Sequence, residues 1–466
     1  MIGIHLTEVA QLTNGTLAGG ADPTAEVPGP VVIDSRQAAP GALFVCLRGE
    51  HVDGHDFAGA AVRAGAVAAL AEHDVGGPAV IVSDPKRALG ELAAGILRGA
   101  TGCAVVGVTG SNGKTSTKDL LAHVLQLQGP VVAPKNSFNN EIGLPLTVLE
   151  VTEQTRTLVC EYSARGPGHI AYLATIAPPR IAVVLNVGTA HLGEFGSRDA
   201  VAVAKGELVA ALPDDGTAVL NADDERVAAM ASRTNARITW FGTGPDADVR
   251  VVDLRLDELA HPHFRLVTRE GEAQVVLPLA GAHHAQNAAA TAAAALARGM
   301  SLESIVDALS TATARSAHRM GVVHRGDDVL VVDDAYNASP ESMAAALDAF
   351  RQLATGRRRW AVLGEMRELG DQSEEFHRDV GRVVAMTGVD ELLVVSRTAE
   401  PIAAGAASDP TWSGRRRVVS DADEAVAVLR AELKAGDAVL VKASNGVRLW
   451  RVAEALVSDV PAGAAT

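Results

Sequence analysis

The stretch TGSNGKTSTKD, Thr109 to Asp119, gathers two glycines, a lysine and several hydroxyls at the spacing that cradles a phosphate chain. The strict phosphate-loop pattern places a glycine five positions before the Gly of GK[ST], and here Val108 stands there. The loop is therefore a shorter variant in which Gly110 and Gly113 flank Ser111 and Asn112. Its physics is unchanged. Glycines let backbone amides curl round an anion, Lys114 neutralises the terminal phosphates, and a following helix points its N-terminus at the negative charge. Thr115 offers a hydroxyl to magnesium, with Ser116 next to it in the same turn. This predicts nucleotide binding without choosing its purpose. No asparagine is followed by lysine, so the NKxD base reader of a regulatory GTPase is missing. Nor does an apolar run ending in Asp-Glu, which would favour a motor or transporter, follow in this region.

A loop of this kind needs a buried strand before it and a helix after it. CAVVGVT (Cys103 to Thr109) reads as the strand, and TSTKDLLAHVLQLQG as the helix, with Leu120, Leu121, Val124 and Leu127 apolar and Gly129 closing it. RTLVCEY, RIAVVLNVG and GTAVLNAD read as further strands ending in polar residues or glycine. In open α/β sheets, ligands gather at such carboxyl ends. Before residue 100, VVIDSR and ALFVCLRG form separate strands around the polar loop GEHVDGHDF; after about 315 a second alternating set runs from DDVLVVDDAY to DAVLVKASNG. The run AGAHHAQNAAATAAAALARG is predicted as an alanine-rich helix, too short and too polar to span a membrane. The expected fold class is α/β with three domains, bounded at 1–99, 100–313 and 314–466.

At 466 residues, a single core would be unusual and about three domains are expected. Hydrophobic residues at 48% and charged residues at 21% exclude a disordered chain. With 41 basic and 56 acidic residues the formal charge is -15, and the longest basic runs are Arg357–Arg359 and Arg415–Arg417. Nucleic acid and anionic membrane are therefore not expected partners. The N-terminus lacks the plan of a signal peptide, and a cytoplasmic protein is expected. Cys46, Cys103 and Cys160 lie far apart in apolar runs and read as buried hydrophobes, with no disulfide or zinc spacing.

TGSNGKTSTKDLL followed by NSFNNEIGLPLTVL (Asn136 to Leu149) resembles the Mur ligases of peptidoglycan synthesis, as do DSRQAAPGALFVCLRGEHVDGHDF, AHLGEFGS, AKGEL, GAHHAQNAAATAAA, DDAYNASPESM and VLGEMRELG, in that order over nearly the whole chain. FNNEIGLPLT and YNASPESM resemble most the members that join D-alanyl-D-alanine to UDP-N-acetylmuramoyl-tripeptide. The resemblance implies an N-terminal UDP-sugar-binding domain, a central P-loop ATPase domain and a C-terminal Rossmann-like domain. It also implies ATP and Mg2+ as cofactors, a monomer, and a role in cell-wall biogenesis. The tripeptide carboxylate would be activated as an acyl phosphate and attacked by the dipeptide amine.

By the same resemblance, Glu161 and His191 join Thr115 as magnesium contacts. Lys205 would be carbamylated to N6-carboxylysine, for which a neutral, partly buried amine is needed. Asn287 would meet the adenine ring in a motif that begins at His283. Arg319, Asp334, Tyr336 and Asn337 would lie near phosphate and ribose. Ser35 and Arg36 suit the UDP-sugar, Asn139 and Asn140 would face the muramyl peptide, and Lys442 and Ser444 the incoming amino acids. The chain departs from the family pattern at Ser163 where glycine is common, at His169 where glutamate is usual, at Ala317-His318 in place of Pro-Gly before Arg319, and at Ala443 within KAS in place of KGS. Two rivals are a Mur-type ligase adding a diamino acid and a nucleotide-binding relative without ligase activity. A degenerate relative should have lost Lys114, Glu161 or Lys205, and all three are present.

Overall fold

The computed structural model describes residues 1–135, 137–189 and 192–458. Its centre is a nine-stranded sheet. Strands β1 (Ala104–Thr109), β2 (Thr157–Glu161) and β3 (Ile181–Val184) are its middle, all parallel, with β1 between the other two. Chain order reverses on the two sides of β1, so the loop leaving β1 opens at a switch point, where crevices form at the carboxyl edge of the sheet.

The β-branched runs are buried on both faces, as parallel strands covered by helices must be. Alternate side chains go to opposite sides. Val106, Val108, Val159 and Val183 pack on Leu120, Leu121 and Val124 of helix α1 (Lys114–Leu125). Leu158, Cys160, Ala182 and Val184 face Leu208 of helix α2 (Arg198–Ala210) on the other side. The alanine-rich segment is helix α3 (His283–Ala297), and it is buried nearly all round. Its small side chains fit it between the sheet and α1.

Beyond the parallel strands the sheet continues through an antiparallel hairpin, Pro262–Thr268 with Gly271–Val276, paired on Val249–Leu256. The sequence reading assigned no strand here. One face carries Arg250, Arg255 and Arg265 to solvent, which dilutes the apolar signal of the strands.

The N-terminal five-stranded sheet runs in the order Thr16–Ala18, Ala79–Ile81, Ala68–Ala71, Leu43–Val45, Val31–Val32. Helix Pro85–Gly99 follows, with Asp84 accepting from the amides of Lys86 and Arg87 as its N-cap. Its buried Leu89, Leu92 and Ile96 belong to one apolar cluster with Leu43, Leu70, Leu144, Val148 and Leu158, so the first sheet and the central sheet share a core.

The C-terminal sheet has six strands, among them β4 (Leu330–Asp333) and β5 (Asp437–Lys442), which are adjacent and parallel. Helix α4 (Pro340–Leu353) follows β4, capped by Ser339, whose hydroxyl accepts from the Ser342 amide, with Pro340 at its first position. All three cysteines are free, and burial pushes the Cys46 thiol up to about 12 and that of Cys103 to about 11.

Helices Ser373–Met386 and Glu400–Ala407 cross backbone to backbone. A Cβ on Gly381 would stand 2.1 Å from the Ile402 carbonyl oxygen, and one on Gly405 2.0 Å from that of Arg378. Gly381→Ala or Gly405→Ala should therefore cost about 1–3 kcal/mol by overpacking, read as a lower denaturation midpoint. Gly99→Ala, where nothing stands within 4 Å, should be neutral or mildly stabilising.

Candidate active site

The loop from β1 to α1 forms one wall of a cavity of 900 Å³ whose other walls come from the loops after β2 and β3, the start of α3, the C-terminal domain and the first turn of helix Pro85–Gly99. Gly113 holds φ 83° as the residue capping α1, and a Cβ there would lie 2.7 Å from Asn287 Oδ1. Only glycine suits that position. The loop is belted from behind by Asn186, just after β3: its Oδ1 accepts from Asn112 N–H at 2.9 Å, and its Nδ2 donates to the Asn112 carbonyl at 3.2 Å. Ser111 Oγ accepts from Gly188 N–H at 2.8 Å. Sequence reasoning missed Asn186, whose signal was a lone amide closing the apolar run RIAVVLNVG.

Lys114 Nζ folds over the loop and donates to the Gly110 carbonyl at 2.8 Å. Burial lowers its pKa, with Arg319 acting in the same direction and Glu161 opposing. Thr115 Oγ1 lies 3.2 Å from Glu161 Oε2 and 3.1 Å from Ser137 Oγ. Glu161, at the end of β2, is 1% exposed. Its other oxygen accepts from Asn139 Nδ2 at 2.8 Å. Asn139 thus holds the carboxylate, and Asn140 Oδ1 accepts from the amides of Ile142 and Gly143, shaping the turn beside it.

Lys205 is 7% exposed, on the side of α2 that carries Val201, Ala204 and Leu208, and is not the solvated helix lysine its type suggests. Burial, with Lys114 nearby, drops its pKa well below the usual lysine value. The adjoining Gly206 leaves room for Arg233, and Glu207 accepts from the amides of Gly168 and Ala171 at 2.6 and 2.9 Å, capping the helix that begins at His169.

Across the cavity, Arg319 Nη2 donates to Thr115 Oγ1 at 3.2 Å, and its guanidinium lies 4.3 Å from the centre of the Tyr336 ring. Lys442, at the end of β5, pairs with Asp334 and donates to the Asn337 carbonyl at 2.9 Å. Burial lowers its pKa against the pull of Asp334. Ser444 Oγ accepts from Arg367 N–H at 3.0 Å. Asn287 is 6% exposed, and its Nδ2, like His284 Nδ1 and Arg319 Nε, is buried without a hydrogen-bond partner among the described residues. A second cavity of 340 Å³ adjoins here and shares Ser116, His284 and Arg319. Burial holds His283 and His284 neutral by lowering both pKa values. Two contacts from α4 cross directly to the loops of the central sheet: Ser339 Oγ donates to Asn112 Oδ1 at 2.9 Å, and Glu341 Oε1 accepts from both N–H and Oγ1 of Thr189 at 2.9 Å.

The structure thus gathers Ser111 to Ser116, Asn139, Asn140, Glu161, Asn287, Arg319, Asp334, Tyr336, Asn337, Lys442 and Ser444 around one cavity. Gly110 and Lys205 are outside that lining. Ser35 and Arg36 are not among its lining residues; Arg36 is exposed and pairs with Asp34 at 2.7 Å. His191 lies outside the described residues. The departures are accommodated locally: Ser163 N–H donates to the Asn139 carbonyl at 3.1 Å, His169 Nδ1 lies 3.3 Å from Arg165 N, and Ala443 fits beside Gly364.

Three family models match the chain: Mur ligase family, catalytic domain, over residues 30–96; Mur ligase middle domain over 108–295; and Mur ligase, glutamate ligase domain over 318–445. A UDP-N-acetylmuramoyl-tripeptide–D-alanyl-D-alanine ligase of Mycobacterium tuberculosis is 45% identical over 99% of both chains, and one of Escherichia coli is 34% identical over 98% of this chain and 99% of the relative. Among solved structures, MurF from Acinetobacter baumannii superposes with a TM-score of 0.88 at 31% identity, covering 98% of this chain and 99% of that one. MurF ligase from Thermotoga maritima, solved in complex with ADP, gives 0.79 at 31% identity over 93% and 98%. The matches run along the chain in the order of its three larger sheets, and the chain belongs to the Mur ligase family.

Proposed function

We propose that this chain joins UDP-N-acetylmuramoyl-tripeptide to D-alanyl-D-alanine at the expense of ATP, giving the pentapeptide precursor of peptidoglycan, ADP and phosphate. One observation carries the reading: 45% identity to a ligase of that name across 99% of both chains. In the first step a tripeptide carboxylate oxygen attacks the γ-phosphorus and ADP leaves. In the second the dipeptide amine, having lost its proton, attacks the acyl carbon and phosphate leaves. Both steps depend on positioning anions and neutralising their charge.

We assign the loop Gly110 to Ser116 to the phosphates, with Lys114 as their cation. Asn287, whose amide nitrogen lacks a partner, is assigned to the base, and Arg319, Asp334, Tyr336 and Asn337 to the phosphate and ribose side. Asn140 and the Asn139–Glu161 pair face the tripeptide, while Lys442 and Ser444 support the acceptor side. Ser35 and Arg36 are assigned to the UDP-sugar on the domain of residues 1–99, which with 100–313 and 314–466 makes the proposed division.

The Thr115 hydroxyl and buried Glu161 carboxylate suit Mg2+, a hard ion that takes one or two protein oxygens and completes its shell with phosphate and water. No group of three or more His, Cys, Asp or Glu side chains competes for that role among the described residues. His191 is the further contact the resemblance implies. Bound there, the ion would neutralise charge on the transferring phosphoryl group. Lys205 is assigned as the carbamylated lysine: a neutral amine adds to carbon dioxide with loss of a proton, and burial of Lys205 supplies that neutral amine. ATP dependence and free thiols suit a cytoplasmic enzyme, and we propose a monomer. Among the described residues no helix is long and apolar enough to cross a membrane.

Phosphate release with both acceptors, ATP and magnesium should occur only when nothing is omitted, with a pentapeptide product by mass; release independent of D-alanyl-D-alanine would reject the assignment. Lys114→Ala should lower kcat about 10²–10³-fold, since it removes a cation aimed at developing charge. Parental turnover in that variant would mean that the loop does not hold ATP. Lys205→Ala should be folded but nearly inactive, and a short carboxylic acid should restore part of its activity. Full activity without the acid would dismiss the carbamate.

A further inference from the structure

The linker into the C-terminal sheet brings Arg319 to the cleft through a backbone that most side chains avoid. His318 and Met320, on either side of it, hold φ 58° and 51°. Side chains other than glycine rarely adopt this region, because Cβ crowds the neighbouring backbone. Such conformations persist where surrounding contacts over-determine them. Here both flanking residues are tied down. The His318 carbonyl accepts from Tyr336 N–H at 3.2 Å. Its ring nitrogen Nδ1 lies 2.6 Å from Asp333 Oδ2, and Met320 N–H donates to Asp334 Oδ1 at 3.1 Å.

The His318–Asp333 pair is largely buried, with side chains 20% and 18% exposed. The imidazole sits near Trp450, ring centres 5.9 Å apart, with its far nitrogen 3.9 Å from Glu454. Asp333 Oδ1 accepts from Ala335 N–H at 3.2 Å, so the grip extends into the turn that carries Asp334, Tyr336 and Asn337. Arg319, held between these two left-handed residues, is the one side chain of the linker that reaches from the Tyr336 ring to the Thr115 hydroxyl.

We infer that His318 is a positioning residue for the use of ATP: by gripping Asp333 it fixes the left-handed linker so that Arg319 meets the phosphate loop. This rests on the assignment of Arg319 to the nucleotide's phosphates. It also gives Asp333 a function as the anchor of the linker.

Three variants separate the grip from the backbone. His318→Gly keeps the left-handed conformation without steric cost but loses the ring. His318→Asn tolerates that conformation and keeps an N–H for Asp333. The third, Arg319→Ala, removes the group through which His318 acts. The glycine variant should lose about tenfold in kcat/KM for ATP, while KM for D-alanyl-D-alanine and the melting temperature stay near the parent's. The asparagine variant should recover most of the loss. His318→Gly combined with Arg319→Ala should be no worse than Arg319→Ala alone, since residues acting through one another are not additive. Parental kcat/KM in the glycine variant, or losses that simply add in the double variant, would overturn the inference. ATP affinity measured by calorimetry should follow the same order. If the parent made no pentapeptide, the reaction assignment would fall, and the calorimetric order would still decide the role of His318.

Discussion

Lys114, Arg319 and Lys442 line a cleft cut into a chain of formal charge -15, with Lys205 buried beside Lys114, and removing such groups from water is the constraint around which the site is built. A nucleotide and a carboxylate cannot be held together without positive charge, yet an unpaired buried ammonium is costly. Each cation is accommodated differently. Lys114 turns its ammonium onto the carbonyl of Gly110. Lys442 is paired with Asp334. Arg319 spreads its charge over the Tyr336 ring. Lys205, buried next to Lys114, meets the constraint by having its pKa depressed. The chemistry proposed for each follows from how it is desolvated: three remain as electrostatic partners, and the one that gives up its proton becomes a nucleophile toward carbon dioxide.

The same economy governs Glu161. A carboxylate 1% exposed is tolerated because Asn139 and Thr115 hydrogen-bond both oxygens. Thr115 is the meeting point, since its hydroxyl also receives Arg319 from the other side of the cleft. One hydroxyl at the start of α1 therefore links a central-sheet carboxylate with an arginine of the C-terminal domain. Any anion or metal ion placed there is felt by both.

Much of this was legible in the sequence, and the reasons are local. A strand, a glycine loop and a helix in sequence announce β1, the phosphate loop and α1 because each depends on its own residues. Glu161, at the end of the strand RTLVCEY, was singled out by the family resemblance. The burial of Lys205 could not be read from its neighbours, because AVAKGEL suits an exposed helix face equally well; what buries it is the packing of α2 on the sheet. Asn186 carried no motif. Ser339 and Glu341 lie within a recognised segment, but their partners Asn112 and Thr189 are more than 150 residues away, a separation that no local pattern encodes. The exposed antiparallel hairpin was missed because its charged face masks its strands.

The three domains are not joined in the same way, and this bears on how the cleft works. The N-terminal sheet and the central sheet share one apolar cluster through helix Pro85–Gly99, so separating them would expose core. The C-terminal sheet has apolar clusters drawn almost wholly from its own elements. It meets the phosphate loop through hydrogen bonds from Ser339 and Arg319, and the loop after β3 through Glu341, which accepts from Thr189, groups that water can satisfy when they part. Interfaces of that polar kind permit domains to move as units. The first two domains thus form one platform through their shared core. The third approaches it through polar contacts, with Arg319 donating to Thr115, one residue from Lys114.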